Sequence, residues 1–280
     1  MHVQHPCNMR RRNPILVAGF LLLGTAGCAP FPAAPGSGRD YGPSQPVDVS
    51  QVPDAVPEAE PRSRYGNPAS YTVNGKTYRV LPECAGYHER GIASWYGMKF
   101  HGGRTSDGET YDMYAMTAAN KVVPLPCYAR VTNLKNGRSV IVKINDRGPF
   151  VENRIIDLSY AAAKKLGVVA TGTALVDVAA VTPGSTASPA PAPEPAPTAT
   201  SAGPQLYVQV GAYAEAANAA RVRGKLESAR ISDVHTVSAP EHGQTLYKIR
   251  IGPLADVSAV DRLTRQLAAL GFPDAQVVIP

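Results

Sequence analysis

The sequence predicts a mainly β chain with an α+β tail: a small β-barrel, a linker, then a four-stranded sheet carrying two helices. Three observations predict it. From about residue 71 to 181, short alternating apolar runs are broken by glycine turns, with room for one short helix. Residues 205–280 repeat a unit of strand, glycine turn and amphipathic helix. Residues 28–64 and 183–204 are rich in Pro, Ala, Gly and Ser and have no apolar period, so they read as a disordered tether and a linker.

Length and composition narrow the function. Of 280 residues, 26 are Pro and 25 are Gly, and the prolines cluster, so the folded parts are small. The net charge of +6 suits an anionic partner such as cell-wall polymer or a membrane surface. No run of Lys and Arg interleaved with aromatics occurs, which argues against nucleic acid. The cysteines are Cys7, Cys28, Cys84 and Cys127, with no CxxC pair or Cys/His cluster. No metal or organic cofactor is indicated.

Residues 1–27 read as an address. Arg10-Arg11-Arg12 precedes an apolar run too short to span a bilayer as a helix, which fits a signal peptide. The run ends in Leu23-Gly-Thr-Ala-Gly-Cys28, which resembles a bacterial lipobox, with Thr25 where a larger aliphatic residue is usual. Lipidated Cys28 would then begin the mature chain; a start at Met9 would leave Cys7 outside it. Several acyl chains, at about 0.8 kcal/mol per buried methylene, anchor a protein stably. Ala29 follows, not the aspartate that in such lipoproteins implies inner-membrane retention, so the expected place is the outer membrane, facing the periplasm.

In the barrel region, 65–182, residues 71–80 read as a hairpin turning on Asn74-Gly75. Residues 91–97 follow in the same β-rich region, 127–134 alternate as a strand, and 114–120 read as a short helical or irregular piece. Asn136-Gly137 turns the chain into a strand over 140–146, and 154–158 is another. Ser159 N-caps a helix to Leu166 that Gly167 closes, and 174–181 is the last strand. An oxidising compartment allows a Cys84–Cys127 disulfide, but two buried thiols fit the sequence equally. In the tail, Val210, Gly211, Arg221 and Leu226 recur as Ile251, Gly252, Arg262 and Leu267. Helices are expected near 214–229 and 258–270, both on one sheet face.

One stretch carries the chemistry. In Val140-Ile-Val-Lys-Ile-Asn-Asp146, the aspartate shares parity with Val140, Val142 and Ile144, so strict alternation continues the core-facing line to Asp146. A poorly solvated carboxyl has a raised pKa and can serve as a general acid. The plainer reading is that Asp146 ties down the Gly148-Pro149 turn.

Several motifs occur in order: Gly91-Ile-Ala-Ser-Trp-Tyr-Gly97, Thr105-Ser-Asp-Gly-Glu-Thr-Tyr-Asp112, Met116-Thr-Ala-Ala119, Arg130-Val-Thr-Asn133, Asn145-Asp-Arg-Gly-Pro-Phe150 and Arg154-Ile-Ile-Asp-Leu-Ser159. They closely resemble the rare lipoprotein A (RlpA) family, and 205–280 resembles the SPOR module, a septal glycan binder. The resemblance implies a six-stranded double-psi β-barrel followed by a βαββαβ SPOR domain. It also implies a lytic transglycosylase, which cuts MurNAc–GlcNAc bonds of peptidoglycan, prefers peptide-free glycan and leaves 1,6-anhydro ends. Such an enzyme uses the sugar's own 6-hydroxyl as nucleophile, so one carboxyl can act first as acid and then as base.

Within that resemblance Asp146 is the acid, and Glu109 and Asp112 stabilise positive charge or orient the sugar. Asn120 stands where the family usually has histidine, and an asparagine cannot shuttle a proton. Hence a second expectation: a weak or inactive septal wall-binder, or a tether for division proteins. Tyr96 is a candidate sugar-stacking residue. Gln209, Tyr213 and Arg250 are candidate glycan ligands of the SPOR part. Asp157 is expected to stabilise the start of the following helix.

Overall fold

The computed structural model describes residues 40–45, 47–184, 205–241 and 243–279. The expected signal peptide, Cys28 and most of the 183–204 linker lie outside them. No helix among the described residues is long and apolar enough to cross a membrane.

The expected hairpin forms from β1 (Ser70–Val73) and β2 (Lys76–Arg79). Asn74 and Gly75 supply its two left-handed residues, at φ 50° and 77°. Six strands then close a barrel: β3 (His88–Tyr96), β4 (Thr117–Asn120), β5 (Cys127–Asn133), β6 (Ser139–Asp146), β7 (Arg154–Ser159) and β8 (Ala174–Ala180). Their order around it is β3-β7-β4-β6-β5-β8. Pairs β3–β7 and β4–β6 are parallel, and the other four are antiparallel.

Inside lie Val142, Ile144, Ile156, Leu158, Val176 and Val178, all fully buried. Each contributes about 1.5–3 kcal/mol of apolar burial. Helix α1 (Tyr160–Leu166) covers β3, β6 and β7, capped by Ser159 and by a left-handed Gly167 as its sequence predicts. Cys84 and Cys127 are joined as a disulfide, which settles the alternative left open by the sequence.

Two expectations fail here. Residues 114–120 are not helical or irregular throughout: Thr117–Asn120 is strand β4, between β6 and β7. Its Ala-Ala pair carries no periodic signal, and pairing on both sides decides its form. The 28–64 segment is not disordered where it is described. It has no regular structure, yet from Asp40 on it is strapped to the barrel. Asp40 accepts hydrogen bonds from Gly97 N and Lys99 N, and Asp54 from Ile141 N and Lys165 Nζ. Val49 is buried in the core cluster, and Ser63 N donates to Leu125 O.

The tail has β9 (Leu206–Tyr213), α2 (Ala216–Ser228), β10 (Val234–Glu241), β11 (Gln244–Leu254), α3 (Val257–Ala269) and β12 (Gln276–Val278). The sheet is antiparallel, in the order β10-β11-β9-β12. Val208, Leu226, Ile249, Val260 and Leu267 form its buried centre.

Candidate active site

The last turn of β6 departs from strict alternation. Ile144 pairs with Ala118, but Asp146 pairs with Ala119, with a register shift between. Residues directly opposite share a face, and consecutive residues face opposite ways. The bulge therefore turns Asp146 away from the Ile144 line, and Asn145, only 2% exposed, is the buried one. The expectation that Asp146 continues the core-facing line is corrected. Its Oδ1 accepts three hydrogen bonds, from Ser106 N (2.8 Å), Ser106 Oγ (2.6 Å) and Arg147 N (2.7 Å).

The 105–109 turn, brought to β6 through Ser106, sets Glu109 against Lys143 and Asn145. Asn145 Nδ2 donates to Glu109 Oε2 and Lys143 Nζ to Glu109 Oε1, each at 2.8 Å. Partial burial pushes the Glu109 pKa up, but these two bonds and the Lys143 charge outweigh it, so the net shift is downward. Glu109 is a fixed carboxylate. Lys143 also donates to Glu60 of the strap at 2.9 Å. Burial draws its pKa down, but its bonds to Glu109 and Glu60 leave the net shift upward.

Asp157 has the opposite environment. Its backbone pairs with Ala119 on one side and Ser94 on the other, so Asp146, Ala119, Asp157 and Ser94 share one face. Neighbouring strands lie about 4.8 Å apart, which puts the two aspartate backbones about 10 Å apart across Ala119. Ser94 Oγ donates to Asp157 Oδ1. Burial raises the Asp157 pKa to about 6, and the Ser94 bond and the charges of Arg154 and Lys121 offset it only in part. The expectation that Asp157 serves the helix end is corrected: it lies within β7, and Ser159 caps the helix.

Tyr96 is not placed to stack on a sugar. It is 7% exposed, its ring stacked on Tyr111 at 4.1 Å. Among the described residues its hydroxyl, Thr117 Oγ1 and Asn145 Oδ1 are buried without a well-formed hydrogen bond, although Thr117 lies close enough to act on the Tyr96 hydroxyl. Burial first, then the charges of Tyr111, Asp146 and Asp157, push its pKa well up, so the group stays a donor. Buried polar atoms without partners ask for a polar ligand or water.

Asp112 and Asn120 have other surroundings. Asp112 is exposed, accepts from Tyr114 N and faces His101 Nδ1 at 3.7 Å. Asn120 is buried with its amide wholly engaged: Nδ2 donates to Tyr87 Oη and Ile155 O, and Oδ1 accepts from Val122 N and Val123 N. It shapes the turn after β4 and has no bond to Glu109, Asp112 or Asp146.

In the SPOR sheet, Arg250 Nε donates to Gln209 Oε1 at 3.2 Å. His235, Arg250, Gln209 and Gln276 are in register across all four strands. Tyr213 is elsewhere. A register shift in β9 follows Gln209, and Tyr213 packs on the apolar cluster under the helices.

The comparisons follow the same division. Residues 88–178 match the family model described as lytic transglycolase, and 202–279 match the SPOR domain. A Pseudomonas aeruginosa protein named endolytic peptidoglycan transglycosylase RlpA is 41% identical over 286 residues, 84% of this chain and 83% of that protein. The Vibrio cholerae protein of the same name is 49% identical over 170 residues, 61% of this chain and 64% of that protein. The chain belongs to the RlpA family. Its closed six-stranded barrel is of the double-psi type, followed by the SPOR domain.

For an RlpA site, sequence reasoning missed Ser94, Ser106, Lys143 and Glu60. Lys143 and Asn145 share the parity that faces Glu109, so alternation along β6 was a usable signal. Nothing in the sequence pairs Ser94 with Asp157 or Glu60 with Lys143, because strand order and the strap bring them together.

Proposed function

We propose that this chain is a peptidoglycan lytic transglycosylase acting in the periplasm. The observation that carries the reading is the face shared by Asp146 and Asp157, with burial raising the Asp157 pKa to about 6, while Glu109, bonded to Asn145 next to Asp146, is held below its ordinary value. Such a split makes Asp157 the group that carries the proton and Glu109 a fixed negative charge. Asp157 gives its proton to the bridging glycosidic oxygen as the bond to the anomeric carbon breaks. The 6-hydroxyl of the same sugar closes on that carbon, and its proton returns to Asp157. No water is consumed, and a 1,6-anhydro end results. The Glu109 carboxylate and Asp146 stabilise the oxocarbenium-like charge and orient the ring, and the Tyr96 hydroxyl supplies a donor. Asp112 stands at the exposed edge, where it can meet a neighbouring sugar.

The relatives' name, endolytic peptidoglycan transglycosylase, supports endolytic cutting of peptidoglycan. The lipobox-like Cys28 supports a lipid anchor in the outer membrane. The SPOR match supports recruitment to septal, peptide-free glycan, with Gln209 and Arg250 as ligands. Division proteins are further candidate partners.

The test is digestion of peptide-free glycan by the purified protein, with Asp157→Asn and Asp146→Asn compared. Anhydro-ended products from wild type and a loss of at least about 100-fold in Asp157→Asn are expected. Full activity in Asp157→Asn with loss in Asp146→Asn would move the proton to Asp146.

Asn120 favours a second reading, a wall-binder with little turnover. Its amide is fully used in shaping the backbone, so it moves no proton. Pelleting with sacculi without products, and turnover gained by Asn120→His, would decide for it.

A further inference from the structure

Beyond the barrel and the SPOR fold stands the joint between them. The described residues from Asp40 onward belong to one compact unit. On the barrel, Ile92 of β3 is 0% exposed, yet it belongs to the apolar cluster of the SPOR domain, and Leu175 of β8 packs against the same cluster. These two side chains pair across β3–β8, and the SPOR helices and sheet cover them. Beside that patch Arg154 sends Nη1 and Nη2 to the two carboxylate oxygens of Asp261 on α3, at 3.0 and 2.7 Å. The Arg154 side chain is only 8% exposed. One turn further along α3, Thr264 Oγ1 accepts from Asn153 Nδ2 at 2.9 Å.

We propose that the SPOR domain docks on the barrel of its own chain through Arg154–Asp261, Asn153–Thr264 and the Ile92–Leu175 patch, so that the two act as one rigid body. The chemistry favours a specific seat over chance contact. A bidentate Arg–carboxylate pair fixes orientation as well as distance. Removing Asp261 from the seated pair would leave the Arg154 charge buried and uncompensated. The apolar patch would otherwise face water on the barrel wall. The linker keeps the partner at high effective concentration, so a modest interface is enough.

The seat places the edge strand β12 against the barrel. Gln276 and Val277 line a cleft with Lys76, Arg90, Lys121 and Arg154. Gln276 is also the end of the polar row across the SPOR sheet. Lys121 is close enough to act on the charge of Asp157. If the proposed activity holds, a glycan strand gripped on the sheet is led along this cleft to the acid, and the cut falls at a set distance from the grip. The docking itself does not depend on that activity.

Small-angle scattering from the purified chain tests the docking. Wild type should give a compact profile, Asp261→Arg a larger radius of gyration, and Arg154→Asp with Asp261→Arg a return toward the compact one. Circular dichroism checks that each variant folds. An independent variant, Asn153→Cys with Thr264→Cys, should form a disulfide on mild oxidation, read as a gel shift. A wild-type profile of two freely moving bodies would overturn the proposal. So would a profile indifferent to Asp261→Arg, or cysteines that fail to join.

Discussion

The barrel and the SPOR sheet both use a register shift to re-aim a side chain, with different results. In the barrel the shift brings Asp146 onto a face with Asp157, where residues far apart in sequence lock each other: Ser94 to Asp157, Ser106 to Asp146, Lys143 and Asn145 to Glu109. In the SPOR sheet the shift takes Tyr213 off the face that carries Gln209 and Arg250, which keep one bond between them. The barrel holds these charged side chains still, as the proposed chemistry requires. The sheet presents polar groups that remain available to a partner. Preorganisation is expensive in long-range contacts, and binding a repetitive polymer does not require it.

The largest effect should come from the covalent link, which only the barrel has. The Cys84–Cys127 bond closes a loop with a sequence separation of 43. Closing a loop of that size removes unfolded-state entropy worth about 4 kcal/mol. Cys84→Ser with Cys127→Ser should lower the protection of barrel amides by that order in hydrogen exchange, with the SPOR core amides falling less. Equal loss in both would mean that the two regions unfold as one.

Asp157→Asn should separate stability from activity. A raised acid pKa means that the folded state holds its proton after the unfolded chain has released it. Relative to low pH, stability is therefore lost as pH rises from about 4 through about 6, by about 3 kcal/mol for the shift from 3.8 to about 6. Removing the ionisable group should raise the melting temperature at pH 7.5 and leave it unchanged at pH 3.5, while glycan cutting falls at least about 100-fold. Wild-type turnover should decline as pH rises through about 6. A variant that loses activity and stability together would make Asp157 structural.

How much of this was legible follows the same divide. Local signals gave the hairpin through Asn74-Gly75, helix α1 through Ser159 and Gly167, and the SPOR fold through the repeat of Val210-Gly211 as Ile251-Gly252. Strand β4 was hidden because Ala118-Ala119 has no period and only its two neighbours make it a strand. The strap was hidden because Val47, Val49 and Val52 sit among prolines, and their partners are supplied by the barrel. The face of Asp146 was misread, since strict alternation cannot foresee a bulge. The burial of Asp157 was hidden because its neighbours across β3 and β4 cannot be seen in Arg-Ile-Ile-Asp-Leu-Ser.

A middling effect is expected where the strap meets the site. Glu60 accepts from Lys143 Nζ at 2.9 Å and from Tyr128 Oη at 2.5 Å. Glu60→Gln keeps the shape and removes the charge, at a cost of about 1–2 kcal/mol because the pair is partly exposed. Faster exchange confined to amides near residues 55–63, with cutting changed only a few-fold, is the expected outcome. If cutting collapses, the strap holds Lys143 and hence Glu109 in working position, and the site begins at residue 60.

The smallest effect should fall on the SPOR sheet, and it sharpens the comparison most. Arg250 and Gln209 share one hydrogen bond on a polar row, so Arg250→Ala should weaken sacculus pelleting roughly fivefold, about 1 kcal/mol. Cutting of short soluble glycan should not change. Tyr213→Ala should do the reverse of what its sequence suggested. Its ring packs on the apolar cluster, and it lies over Gly211, where a Cβ would come within 2.6 Å of the hydroxyl. Losing that ring should destabilise the SPOR core while leaving any binding by the remaining folded molecules intact. If Tyr213→Ala instead weakens pelleting without loosening the core, the glycan is read on the helix side, and the polar row is only solvated surface.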